Sequence, residues 1–126
     1  MRSKGTLKLA NGNVYTGTFE NDKKSGIGKF IWSNGICYHG EYKDNKKNGK
    51  GVLTLNNGEK FQGNFYNNSK HKIGFFFNKD GFFYKQLWKY GNLEKEKKIN
   101  FLEIPPQDFY PTTLLTPEMV HISCEL

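Results

Sequence analysis

The sequence predicts an all-β fold. It is a single-layer, elongated antiparallel sheet of stacked β-hairpins, followed by a C-terminal tail that is irregular or holds a short helix. Three observations predict it. The first is a period: Tyr15, Tyr38, Phe61 and Tyr84 lie 23 residues apart, and so do Phe19, Tyr42, Phe65 and Trp88. Two glycine ladders, Gly5 to Gly74 and Gly12 to Gly81, keep the same spacing. A period in this range marks a stacked repeat array, in which each unit buries its apolar face on its neighbours. The second is an Asn-Gly or Asp-Gly dipeptide at one phase of every unit, a strong hairpin signal. The third is composition: aromatics make up 16% of the 126 residues, so the apolar mass suits ring ladders on a sheet, not an aliphatic ball.

Taken in order, residues 5–14 are the second half of a unit whose first half is absent. Complete repeats follow at 15–37, 38–60 and 61–83, then a degenerate cap at 84–102 and a tail at 103–126. Strands are expected near 5–9, 14–19, 27–32, 37–43, 50–55, 60–66, 73–78, 82–88 and 97–102.

Side-chain parity selects the turn at each Asn-Gly. A two-residue turn at Asn34-Gly35 sets Ile31 opposite Tyr38. A three-residue loop with glycine in the left-handed position sets Phe30 opposite Tyr38 and Gly28 opposite Gly40. It also pairs Leu7 with Tyr15, Leu53 with Phe61 and Phe76 with Tyr84. Opposed residues share a face, and a one-residue slip inverts it. Only the three-residue loop gives an apolar pair every time, so it is the expected one.

Two faces follow. The first collects the rings, with Gly17, Gly28, Gly40, Gly51, Gly63 and Gly74 among them. Glycine weakens a strand, so its use here is space for rings to lie over the backbone. Most of the rings are expected to pack on one another. Tyr15, Phe19, Trp32, Tyr38, Tyr42, Phe61 and Phe65 are the candidates for a partner groove. The second face is polar or mixed early and apolar late, where Ile73, Phe75, Phe77, Phe83 and Leu87 form a patch that needs a cover.

The connections at 21–26, 43–49 and 67–74 read as longer loops on one edge. Their lysines, Lys23, Lys24, Lys46, Lys47, Lys70 and Lys72, are the candidate anion- or lipid-binding group. Successive loops fall ~10 Å apart, two strand spacings. Near the end, Gln86, Lys95 and Lys97 replace array glycines. A last strand is expected at 97–102, with a helix starting at Asn92 as the alternative. Pro105-Pro106 then ends regular structure, and Thr116-Pro117-Glu118 suits the start of a short helix. The tail is expected to dock through residues 104–122 on the late second face.

Charge supports that division. The net charge is +7. Every Lys and Arg lies at or before Lys98, whereas the tail holds Glu103, Asp108, Glu118 and Glu125. A basic array with an acidic tail suits an anionic partner or a tail that folds back. Cys37 and Cys124 lack metal-ligand spacing, and a reducing, cytoplasmic setting is the simplest reading. His39, His71 and His121 lie one to a region, with no paired carboxylate or cysteine. No catalytic, metal or cofactor site is expected, and lysine without arginine on the loops argues weakly for nucleic acid.

The unit Tyr38–Phe61, with an aromatic-Gly-aromatic strand at Tyr38-His39-Gly40-Glu41-Tyr42 and a Gly49-Lys50-Gly51 element, resembles the MORN repeat. The resemblance covers about residues 5–102. It implies a non-enzymatic scaffold or targeting role, since such repeats accompany lipid kinases and methyltransferases and occur in junctional-membrane and cytoskeletal assemblies. The first expectation is a scaffold binding another protein, as a peptide or helix, in a cytoskeletal or membrane-associated assembly. The alternatives are an anionic phospholipid (phosphoinositide) surface binder and a regulatory fragment of an enzyme or toxin-neutralising module.

Overall fold

The computed structural model describes residues 2–100 and residue 102. Nine strands pair in sequence order in one open antiparallel sheet: β1 (Arg2–Lys8), β2 (Val14–Glu20), β3 (Lys23–Ile31), β4 (Cys37–Lys43), β5 (Lys46–Thr54), β6 (Lys60–Tyr66), β7 (Ser69–Phe77), β8 (Phe83–Lys89) and β9 (Asn92–Ile99). The expected docking of residues 104–122 and the helix after Thr116 lie outside the described residues.

The Asn-Gly turns are three-residue loops, as parity requires. Trp32 N–H donates to Ile36 O at 2.8 Å and Gly35 N–H to Trp32 O at 3.0 Å, and the turns at Leu9 and Leu55 repeat this. Gly12, Gly35, Gly58 and Gly81 have φ of 93, 93, 90 and 92°, in the region glycine enters without steric cost. The side-chain oxygens of Asn11, Asn34 and Asn57 accept from the backbone N–H two residues on, an Asx turn that holds each loop. The register follows: Leu7 pairs with Tyr15, Phe30 with Tyr38, Leu53 with Phe61 and Phe76 with Tyr84.

The lysine segments are not long loops. Strand continues almost to the tip, and two residues make each turn. Asn21-Asp22, Asp44-Asn45, Asn67-Asn68 and Tyr90-Gly91 all have φ between 48 and 86°, the type I′ geometry that matches strand twist. The surplus length is absorbed as bulges inside β3, β5 and β7, where the register shifts against β2, β4 and β6. Gly26, Gly49 and Lys72 carry them at φ of 73, 103 and 66°. Lys72 therefore holds a left-handed backbone that its two repeat mates leave to glycine.

The fourth unit stays in the sheet. Residues 92–99 form β9, beginning five residues before the expected strand, and the helix alternative is excluded. Gln86 stands where Gly17, Gly40 and Gly63 stand in earlier units. It is buried, accepts from Trp88 Nε1 at 2.9 Å and donates to Glu96 at 2.8 Å.

The larger of two core clusters lies on the first face. Tyr15, Tyr38, Tyr42, Phe61 and Phe65 form one buried cluster, with Phe19, Phe30, Trp32, Leu53, Phe76 and Trp88 packed against it. Tyr15, Tyr38 and Phe61 lie flat across paired glycines of adjacent strands, Gly17–Gly28, Gly40–Gly51 and Gly63–Gly74. A Cβ added at Gly40 would come within 2.6 Å of Lys50 O and 2.7 Å of Tyr38 Oη, and one at Gly28, Gly51 or Gly74 would overlap the ring itself. Gly51→Ala is therefore expected to destabilise by about 2 kcal/mol or more, because the ring has to lift from the sheet. Gly58 meets nothing within 4 Å, so Gly58→Ala should cost only ~1 kcal/mol of left-handed strain. Denaturant midpoints check the pair, and equal losses would remove the ring-seat account.

Candidate functional site

The first face is a chain of rings joined edge to face. It runs Phe19, Tyr15, Tyr42, Tyr38, Phe65, Phe61, Trp88, with centroids 5.0 to 6.1 Å apart and interplanar angles of 76 to 89°. The contacts alternate within a hairpin and across to the next, so the ladder also binds repeat to repeat. Edge-to-face pairs add about 0.5–1.5 kcal/mol each beyond the area they bury. The phenol groups are used as well: Tyr15 Oη donates to Thr18 O at 2.9 Å and Tyr38 Oη to Glu41 O at 3.0 Å.

Three lysines lie on this same face. The tight turns set Lys24, Lys47 and Lys70 opposite Phe19, Tyr42 and Phe65, and opposed residues share a face. Lys24 Nζ lies 5.6 Å from the ring centroids of both Tyr15 and Phe30. Lys47 Nζ lies 5.3 Å from Trp32 and 5.7 Å from Tyr38. Lys70 Nζ lies closer still, 4.6 Å from Phe61 and 4.5 Å from Trp88. Each is a cation–π contact of about 0.5–2 kcal/mol. Burial pushes all three ammonium groups below the ordinary lysine value, and none of the described carboxylates pairs with them.

Their backbones are clamped by the following repeat. Lys24 N–H donates to Asn45 Oδ1 at 2.8 Å, and Asn45 N–H donates back to Lys24 O at 3.0 Å. Asn68 does the same for Lys47 at 2.8 and 2.9 Å. Gly91 keeps only the backbone half of the clamp on Lys70.

The structure thus joins two groups that the sequence placed apart. Of the expected groove residues, Tyr15, Tyr38, Tyr42, Phe61 and Phe65 are core beneath the face, and Phe19 and Trp32 remain part-exposed. The accessible rim also includes Phe30, Leu53, Phe76 and Trp88, which the repeat pattern does not single out as groove residues. Of the expected lysine group, Lys24, Lys47 and Lys70 belong to the ring face, whereas Lys23, Lys46 and Lys72 are exposed. Reading Asn-Asp, Asp-Asn and Asn-Asn as two-residue turns would have found the shared face.

On the second face, Phe75, Phe77 and Phe83 are a buried cluster with Ile99 against it, Leu87 is half-buried and Ile73 is exposed. Burial, then nearby Lys29, pushes His39 down to about 4 and holds it neutral. Cys37 is fully buried and disulfide-bonded rather than a free thiol, so the cysteines no longer support a reducing compartment. Among the described residues no cluster of His, Cys, Asp and Glu could hold a metal ion, and no helix is long and apolar enough to cross a membrane.

The family model described as MORN repeat matches residues 15–37 and 38–60. These are the first two of the three complete repeats, and they carry Lys24, Lys47 and the rings beneath them. No curated protein matches the chain.

The buried phenols set an alkaline limit on stability. Burial pushes the Tyr15 hydroxyl up to about 12, against its bond to Thr18 O, and burial raises Tyr38 and Tyr42 as well. Their stabilising contribution is full below the unfolded value of about 10 and is lost as pH rises through the folded values. The lowered lysines act in the opposite sense and add stability as pH nears 10.5, but their shifts are the smaller ones. Stability is expected to hold to about pH 10 and to collapse above it. Tyrosinate absorbance should appear together with loss of the sheet's circular dichroism, and tyrosinate forming in an intact sheet would contradict this.

Proposed function

We propose that this array, in which residues 15–60 are two MORN repeats within a longer run of the same period, is a non-enzymatic scaffold. It binds an acidic, amphipathic segment of another protein along its aromatic–lysine face. The observation that carries this reading is the row Lys24, Lys47, Lys70. Three cations recur once per repeat, lie inward against rings, and have no carboxylate partner among the described residues.

An ammonium stripped of part of its water and lacking an anion is a costly arrangement. A ligand carboxylate set between the lysine and the rim rings removes that cost. Successive lysines are two strands apart, about 10 Å at ~4.8 Å per strand. An α-helix repeats that distance every seven residues, at ~1.5 Å each. The matching ligand is a helix with an acidic residue at every seventh position and apolar residues beside it to cover Phe30, Trp32, Leu53 and Phe76. Separate loops reaching for a flat surface would leave the lysines extended, whereas here they are folded down onto rings.

The runner-up is an acidic phospholipid surface bound by the outward-facing Lys23, Lys46 and Lys72, each of which is exposed. One set of measurements separates the two. A designed helix with glutamate at seven-residue spacing should bind, and Lys47→Gln should weaken it about tenfold, the loss of one half-buried charge pair. Lys23→Glu with Lys46→Glu should leave that affinity within about twofold, as expected for rim charges. Sedimentation with acidic vesicles that is lost in the Lys23/Lys46 variant, with no peptide binding, would replace this reading by the lipid one.

A further inference from the structure

The second face of the sheet is buried where no described element lies on it. The described chain is a single layer, and the repeat provides an internal control. Residues one period apart occupy the same position on the same sheet. Val14, Lys29 and Ile31 are part-exposed, while their counterparts Cys37, Val52 and Thr54 are buried. One repeat further on, Lys60, Phe75 and Phe77 are buried too. Thr16 is part-exposed, but its counterpart Gln62 is 0% exposed. Sheet geometry alone would give period mates similar exposure, so something covers this face from β4 to β8 and leaves β2 and β3 open.

We propose that residues 103–126 are that cover, and that a disulfide between Cys37 and Cys124 clasps it to the sheet. The chain has two cysteines. Cys37 lies on the covered face, fully buried and disulfide-bonded, and within one chain only Cys124 completes the bond. The path is short enough. The chain leaves β9 beside Ile99, which packs on the buried Phe77–Phe83 cluster at one end of the face. Cys37 in β4 is five strands away, about 24 Å at ~4.8 Å per strand. The residues between positions 102 and 124 span ~33 Å even if wholly helical, at ~1.5 Å each.

Charge and composition fit the same occupant. The face presents Lys29, Lys50 and Lys60, and residues 103–126 hold four acidic side chains and no Lys or Arg. Phe109, Tyr110, Leu114, Leu115, Met119 and Val120 supply apolar surface for the Phe75–Phe77–Phe83 cluster. The four prolines bar the segment from extending the sheet as a further strand. Gln62 Nε2 and Oε1 are buried on this face without a hydrogen-bond partner.

The clasp forms by thiol–disulfide exchange with a small-molecule disulfide. One cysteine thiolate attacks the donor and expels one of its halves. The second cysteine attacks the mixed disulfide and expels the other. Two cysteine thiols become one cystine, the donor becomes two thiols, and the two protons end on them. Reduction reverses the step and frees the clasped end, so the cover responds to the redox state around it. The inference concerns the face opposite the proposed ligand site and stands or falls apart from it.

The test uses the full chain. Trypsin leaves Cys124 in the peptide after Lys98 and Cys37 in the one after Lys29. Mapping without reductant should find these two linked, and reductant should separate them. A Cys37–Cys37 link between copies, or alkylation of both thiols in the native oxidised protein, would overturn the clasp. Reductant on the wild type and the Cys124→Ser substitution should each lower the melting midpoint by roughly 10 °C, the scale of a long-loop disulfide. The cover itself is read by hydrogen exchange. The oxidised chain should protect β5 to β8 more than Cys124→Ser does, and a chain ending at 102 should lose that protection and bind a hydrophobic dye. If that truncated chain does not fold, the exchange difference between the oxidised and reduced full-length protein decides. Identical exchange in those two states, or unchanged dye binding by a folded truncated chain, would overturn the cover.

Discussion

A ring lying on two glycines is the contact from which the rest of this fold follows. Tyr38 lies flat over Gly40 and Gly51, and neither position has room for a Cβ. Because the ring lies down, its edge and hydroxyl reach along the sheet rather than away from it. The hydroxyl then finds Glu41 O, and the ring edges meet Tyr42 and Phe65. A single-layer sheet has no second layer to bury its rings. It solves this by folding each ring onto its own backbone, where glycine leaves a shallow seat. The entropy that glycine forfeits in a strand, roughly 0.5–1 kcal/mol relative to alanine, is small beside the ~1.5–3 kcal/mol gained by burying a large apolar side chain.

The same seat explains why the lysines take the positions they do. With the rings lying flat, their faces are open to a cation above them. Lys24, Lys47 and Lys70 emerge from tight turns with the parity that puts them there, and Asn45 and Asn68 fix their backbones from the next hairpin. A flexible lysine loses much side-chain freedom in such a place, which offsets much of the cation–π attraction. The end unit shows the rule by exception. Gln86 replaces the seat glycine, Leu93 replaces the lysine, and the amide oxygen of Gln86 accepts from the indole N–H of Trp88, which also keeps its edge contact with Phe61.

The architecture was legible because its signals are periodic and local. Four ladders at one spacing predicted the strands, and parity alone chose the three-residue Asn-Gly loop, which the left-handed glycines reproduce. The other turn was misread, because Asn-Asp, Asp-Asn and Asn-Asn are weaker turn signals than Asn-Gly and the neighbouring lysines resemble loop. That single error split one face into two candidate sites. It also hid the bulges at Gly26, Gly49 and Lys72, where surplus residues stay within the strand. The fate of individual rings was not legible, since a tyrosine under the rim and a phenylalanine on it have the same period and face. Only the depth set by the glycine seat separates Tyr38 from Phe30. The second-face patch was read from side-chain type, but Ile73 is exposed because burial there depends on position along the face as much as on chemistry.

The asparagine clamp between neighbouring turns has an evolutionary corollary. Each hairpin is fastened only to the one before and the one after, through groups that recur once per repeat. A duplicated unit inserted between two others would find the same partners on both sides and disturb none of the rest. It would lengthen the face by one fixed step and add one cation. An array built this way is a ruler: its length changes in whole graduations, by copying a unit rather than by redesigning the sheet.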